Sequence, residues 1–156
     1  MFPQRDDQAD YEYPDDGLLQ AYGVVQDDEI RQLQHLDVHG EKALLVVKNG
    51  LTTGTIVGRA TGLESFTRVY TDYDIKHTSI EVAILAYDKQ HGPFSAPGDS
   101  GSIVLDRKGR IVGLLTGGGG TTDETDVTYA TPYWWLNKEM KVKKVYPRCH
   151  LYDVVA

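Results

Sequence analysis

What the chain has little of narrows its class before any motif is read. Of its 156 residues only Cys149 is a cysteine, so no disulfide can form within the chain and a packed core must hold it together. A domain of this length buries enough surface for that. No basic stretch followed by an apolar segment opens at Met1, and no apolar run approaches the length that crosses a bilayer. These absences predict a cytoplasmic protein with no membrane partner. Basic residues are also short, 16 Lys and Arg against 23 Asp and Glu, and the resulting net charge of -7 argues against general nucleic-acid binding. No internal repeat divides the chain.

What is present falls into four stretches. Residues 1–16 hold Asp6, Asp7, Asp10, Glu12, Asp15 and Asp16 against a single Arg5, the composition of an acidic flexible tail. Residues 17–42 read as a linker segment in which Asp27 caps a short helix that ends before Gly40. From residue 43 the pattern changes to short runs rich in Val, Ile, Thr and Tyr, with strands expected over 43–48, 53–60, 65–71, 77–87, 102–106, 110–116 and 126–131. Asp106-Arg107-Lys108-Gly109-Arg110 is a hairpin turn, and Thr131-Pro132 is placed to start a helix over 133–140. Strands alternating with turns in this way predict an all-β fold, an antiparallel barrel of six to seven strands flanked by two helices. The barrel with its terminal helix would span 43–145, leaving 146–156 as a tail. Lys138, Lys141, Lys143, Lys144 and Arg148 make the C-terminal end basic, as a solvated helix face does, or as a dock for the acidic beginning.

The stretch richest in chemistry is Gly98-Asp99-Ser100-Gly101-Ser102, entered from Phe94-Ser95-Ala96-Pro97 and left through Ile103-Val104-Leu105. Glycine on either side lets the backbone turn sharply and leaves a substrate carbonyl free to approach the serine. The backbone N–H groups of the Gly98-Asp99-Ser100 turn, those of Gly98 and Ser100 in particular, can then converge as an oxyanion hole, where one donor is typically worth about 3 kcal/mol of barrier. Ser100 is the candidate nucleophile. Alone it is inert, because its proton needs a base and the base needs a carboxylate to fix its tautomer. The tetrapeptide by itself is equally compatible with a plain turn between two strands. Gly117 to Gly120 with Thr121 and Thr122 lack the lysine and following helix of a phosphate loop. No cofactor or metal is expected.

The Gly98–Ser102 block resembles the nucleophile loop of the chymotrypsin-like (trypsin-fold) serine proteases. Val46-Val47-Lys48-Asn49-Gly50-Leu51-Thr52-Thr53-Gly54 is similar to the strand opening the second barrel in bacterial members such as alpha-lytic protease and the streptogrisins. Gly113-Leu114-Leu115-Thr116-Gly117-Gly118 resembles the strand that pairs with bound peptide, and Val127-Thr128-Tyr129 with Trp134-Trp135-Leu136 resembles the last strand and terminal helix. The resemblance implies a Greek-key barrel, the second of the two such proteases possess. It also implies a buried ion pair between Lys48 and Asp99, a peptide-binding edge at Thr116, Gly117 and Gly118, and a primary-pocket position at Phe94. In that edge the glycines leave room for a peptide strand, and the Thr116 hydroxyl helps to orient the catalytic carboxylate. Asp99 read alone is a solvated turn aspartate, and Phe94 read alone is a core side chain under the loop. Bacterial members carry one cystine joining the positions occupied here by Val47 and a residue near Val57, and its absence here points to a reducing compartment.

The histidine and aspartate of such a site lie on the first barrel, for which the 42 residues ahead of the barrel are too few when strands run about 5 to 6 residues. Within the chain His35, Asp37 and His39 form a compact cluster, conceivable as a relay or metal pair and otherwise surface polar residues at a helix end. His77 begins a strand, His91 stands nearest Ser100 in sequence, and His150 falls in the tail. None supplies a convincing base. Three expectations follow: a serine endopeptidase-like domain inactive without a complementary N-terminal barrel; a non-catalytic protein-binding or effector module using the same peptide groove; or a homo-oligomer in which a histidine comes from the neighbouring copy.

Overall fold

Val, Ile and Thr crowd the segments from residue 43 onward, and β-branched side chains are best accommodated on an extended, pleated backbone. The computed structural model describes residues 21–33, 35–37, 40–70, 76–88, 90–120 and 127–143. The flanks expected as an acidic tail (1–16) and a C-terminal tail (146–156) lie outside the described residues, as do His39 and His150.

The elements follow in the order α1 (Asp27–Arg31), β1 (His35–Leu36), β2 (Lys42–Gly50), β3 (Gly54–Tyr70), β4 (Lys76–Ala86), β5 (Ile103–Asp106), β6 (Ile111–Gly119), β7 (Val127–Pro132) and α2 (Tyr133–Val142). Every strand pairing is antiparallel, with strands ordered β1-β2-β3-β4-β7-β6-β5, and β5 returns to pair with β2. Strands β2 to β7 thereby close a six-stranded barrel to which β1 is added at β2. The expected barrel with a short N-terminal and a C-terminal helix is the fold observed. Its core is built from Val46, Ala60, Val82, Ile84, Val104, Val112, Leu115 and Ala130, with Phe94 beneath the β4–β5 connection. That connection crosses from the β4 side of the barrel to the β5 side and carries the Gly98–Ser102 turn.

Most strand ends differ from those read off the sequence by one to three residues, and some elements differ more. The runs 53–60 and 65–71 are one strand, β3, whose register against β4 shifts between Ala60 and Glu64. The irregularity accommodates α1. Gly62 in it has φ +74°, and a Cβ there would lie 2.9 Å from the Ile30 carbonyl and 3.1 Å from Leu33. Helix α1 ends at Arg31, before Gly40 as expected, and His35 and Leu36 then form a short strand against Lys42 and Ala43 that was not expected. Its N-cap is Gln26 rather than Asp27, in a reciprocal capping box with Glu29. At α2 the N-cap is Pro132, one residue later than expected.

The segment before α1 is tied to the β5–β6 hairpin. Val24 bridges Ile111, and Arg110 reaches both Glu29 (2.6 Å) and the buried Asp106 (2.8 Å). Asp106 also accepts from the backbone N–H groups of Lys108 and Arg110, which fixes the hairpin turn around Gly109.

Candidate active site

Ser100 owes its position to a buried carboxylate one residue earlier. Asp99 is fully buried and collects five hydrogen bonds. Its Oδ1 accepts from the backbone N–H groups of Thr52 (2.8 Å) and Thr53 (3.2 Å). Its Oδ2 accepts from Lys48 Nζ (2.9 Å), the Thr53 hydroxyl (2.7 Å) and the Ala96 N–H (3.1 Å). Burial by itself would raise the pKa of this carboxyl. The donations from Lys48, Thr53, Thr52 and Ala96 outweigh it and hold the group well below the usual carboxylate range, so Asp99 is ionised.

Lys48, 1 % exposed, also contacts the Thr53 hydroxyl and stands 5.8 Å above the Phe94 ring. Phe94 is 1 % exposed and belongs to the core, with its ring lying where a Cβ on Gly58 would have to sit. Gly50 is obligatory for a similar reason: a Cβ on it would come within 2.4 Å of Asp99 Oδ1 and 2.6 Å of Lys48 Nζ. The end of β2, the β2–β3 turn and the serine loop therefore lock onto one another around one ion pair. Sequence reasoning brought Lys48 and Asp99 together but missed Gly50, Thr52 and Thr53. The signal for the last two was a pair of hydroxyl residues in a tight turn, where both amide and hydroxyl can donate.

Above this base the chain makes two successive turns, with Asp99 N–H donating to Ala96 O and Ser102 N–H to Asp99 O (both 3.1 Å). Gly98 (φ +103°) and Gly101 (φ +87°) take the left-handed conformations these turns demand. The Ser102 hydroxyl closes on Asp99 O at 2.6 Å, and Gly101 N–H donates to Leu115 O at 2.7 Å, seating the loop on β6. Among the described residues the N–H groups of Gly98 and Ser100 take no internal partner. Ser100 itself is exposed, its hydroxyl directed at the Thr116 carbonyl at 3.5 Å.

Beyond Ile103 strand β5 no longer accompanies β6, so residues 116–119 keep β7 on one side and, among the described residues, an open edge on the other. Thr116 and Gly118 are exposed there, and no atom lies within 4 Å of where a Gly117 Cβ would be. The Thr116 hydroxyl turns inward to Tyr129 O (3.2 Å) and to Glu81 Oε2 (3.4 Å). Glu81, on β4, is 4 % exposed and was not singled out from sequence. A lone acid inside the apolar run Ile80-Glu81-Val82-Ala83-Ile84 was the available signal.

Of the histidines whose side chains are described, His35 and His91, neither adjoins Ser100. His35 Nε2 is 3.0 Å from Arg107, and Asp37 is buried and ion-paired with Arg59. His35 and Asp37 are thus parts of the β1 addition and its anchor rather than a helix end. His91 places Nδ1 2.6 Å from both carboxylate oxygens of Asp88, a geometry that requires an Nδ1–H donor. Burial raises the Asp88 pKa, but the His91 side chain and the N–H groups of Gln90 and His91 together lower it. Among the described residues no contact joins His91 to Ser100.

No protein-family model matches the sequence, and no curated protein matches it. Among solved structures the chain is similar to a chymotrypsin of Cellulomonas bogoriensis, at 19% identity and a TM-score of 0.42 over 73% of this chain and 51% of that one. It is also similar to the active form of the Rv3671c protease of M. tuberculosis, at 12% identity and a TM-score of 0.47 over 70% of this chain and 44% of that one. The chain spans about half the length of the solved structures it matches.

Proposed function

We propose that this barrel is the nucleophile-bearing half of a trypsin-like serine endopeptidase site. Ser100 is its nucleophile, the N–H groups of the Gly98-Asp99-Ser100 turn are its oxyanion hole, and Thr116, Gly117 and Gly118 form its peptide edge. The observation that carries the reading is the exposed Ser100 hydroxyl on a turn held rigid by a fully buried Asp99, beside amides left free to bind an oxyanion. In this reading the base comes from a complementary barrel or a second copy of the chain, because the two histidines whose contacts are described are held by Arg107 and Asp88, and the barrel alone is expected to be inactive. Its ligand is an extended peptide or protein segment, added to the open edge of β6 as a further strand.

The test is labelling by a fluorophosphonate. Ser100 should react slowly by itself and faster when imidazole is added as a surrogate base, and Ser100→Ala should abolish both reactions. A rate that climbs with protein concentration would identify the neighbouring copy as the source of the histidine. Failure to label at any imidazole concentration would sink the nucleophile assignment. The open edge, with free space beside Gly117, favours a second reading, a non-catalytic peptide-binding module. Peptide binding weakened by Gly117→Val, with Ser100 unreactive throughout, would establish it.

A further inference from the structure

Helix α2 presents to solvent a face of mixed character. Trp135 (43 % exposed) and Val142 (67 % exposed) stand on it, and Lys138 shares it, because residues three and four apart on a helix are neighbours. Lys141 is exposed beside them. The one acid of the helix, Glu139, is held by Lys143 at 3.0 Å, and among the described residues no carboxylate reaches Lys138 or Lys141. Large apolar side chains and unmatched cations on one face suit a partner that is aromatic and acidic together.

The chain carries such a segment of its own, outside the described residues. Asp10-Tyr11-Glu12-Tyr13-Pro14-Asp15-Asp16 offers four carboxylates, two phenol rings and no base. Its point of attachment lies beside the helix. Ala21 packs against the cluster of Leu105, Ile111 and Tyr133, on which Leu136 of α2 also rests, and Tyr22 N–H donates to Gly109 O at 2.9 Å. Only residues 17–20 separate Asp16 from Ala21, and the five peptide links between them span at most about 18 Å. Helix α2, at 10 residues, is about 15 Å long, so its face lies within reach. We propose that residues 10–16 dock on this face of α2, their carboxylates meeting Lys138 and Lys141 and their tyrosine rings covering Trp135 and Val142. The short tether makes the contact intramolecular, at an effective concentration of about a millimolar. Exposed ion pairs that are weak between separate molecules are then enough to hold it.

Both tryptophans of the protein, Trp134 and Trp135, lie on α2, so their emission reports on this face. Acrylamide, a neutral quencher, measures their accessibility in the full chain. Quenching should rise about twofold when NaCl at about 0.5 M shortens the screening length to about 4 Å. It should rise as much without salt in the full chain carrying Asp10→Asn, Glu12→Gln, Asp15→Asn and Asp16→Asn, with an unchanged urea midpoint to show that the barrel is intact. A carbodiimide, which condenses a carboxyl with an amine and takes up the water released, supplies the second reading. It should join the 10–16 peptide to Lys138 and Lys141 about fivefold more often than to the exposed Lys42, in chains of single mass. Quenching that responds to neither salt nor neutralisation would overturn the proposal, as would links spread evenly over the exposed lysines. Links found only at doubled mass would overturn it as well, by making a second copy the occupant of the face.

Discussion

Two buried carboxylates stand beside the serine loop, and they are built in opposite ways. Asp99 gathers five donors from three segments of the chain and lies against a lysine that is itself buried. Among the described residues Glu81 receives one hydroxyl, at 3.4 Å. A charge taken out of water must be met by equivalent partners, and where they are internal the group serves the fold. Asp99 accordingly reads as the foundation of the turn, and Glu81 as a carboxyl to which the described parts of the fold commit far less.

The largest effect that can test this contrast is removal of Asp99. In Asp99→Ala, Lys48 is left as a buried cation and the Thr52, Thr53 and Ala96 N–H groups lose their acceptor. Breaking a buried pair in this way typically costs about 3–5 kcal/mol, to be read as a lower denaturant midpoint. Lys48→Met should cost less, because the carboxylate keeps its four other donors. If the two substitutions cost the same, the ion pair rather than the surrounding donors carries the stability of the turn.

Next in size is a methyl group placed against the pair. Gly50→Ala puts a Cβ 2.4 Å from Asp99 Oδ1 and 2.6 Å from Lys48 Nζ, so the pair must shift, at about 1–3 kcal/mol as for other overpacked sites. Gly117→Ala meets no atom within 4 Å and should leave the unfolding midpoint within about 0.5 kcal/mol of wild type. A loss of stability at Gly117 matching that at Gly50 would mean that the β6 edge is packed rather than open.

Acid is a gentler probe of the same site. The folded-state pKa of Asp99 lies below its unfolded value of about 3.9. Its contribution to stability is thus complete above that value and is lost as the pH falls through the folded-state pKa. Urea midpoints followed from about pH 5 downward should fall for the wild-type chain and fall less steeply for Asp99→Asn. Parallel curves would show that other carboxyls, such as the exposed Glu29 on Arg110, dominate acid unfolding.

These residues also show how much of the site could be read without coordinates. The barrel was legible because each strand carries its own β-branched pattern and each hairpin its own turn residues, which are local signals. The Gly98–Ser102 turn was legible because glycines with positive φ flank it. What could not be read depends on contacts between distant segments. The β3 irregularity at Gly62 exists because α1 packs on it. The two-residue strand His35–Leu36 is defined by its pairing with β2 and by nothing in its own residues. Gly50 looks like an ordinary turn glycine until Asp99, 49 positions later, is seen in the space of its missing Cβ. Glu81 is the hardest case. An acid between Ile80 and Val82 reads as the polar face of a strand, and its burial and its contact with Thr116, 35 positions later, appear only once β4 and β6 are folded together.

That burial leads to the smallest expected effect on stability, which separates the two carboxylates most sharply. If Glu81 stabilised the barrel as Asp99 does, Glu81→Leu would be costly. With one donor among the described residues to lose, and that donor retaining Tyr129 O as an acceptor, replacement of the carboxylate by an apolar side chain of similar size should change stability by about 1 kcal/mol or less, in either direction. Unfolding midpoints of Glu81→Leu and Asp99→Ala measured side by side check the contrast. Marked destabilisation would instead place Glu81 with Asp99 as part of the scaffold.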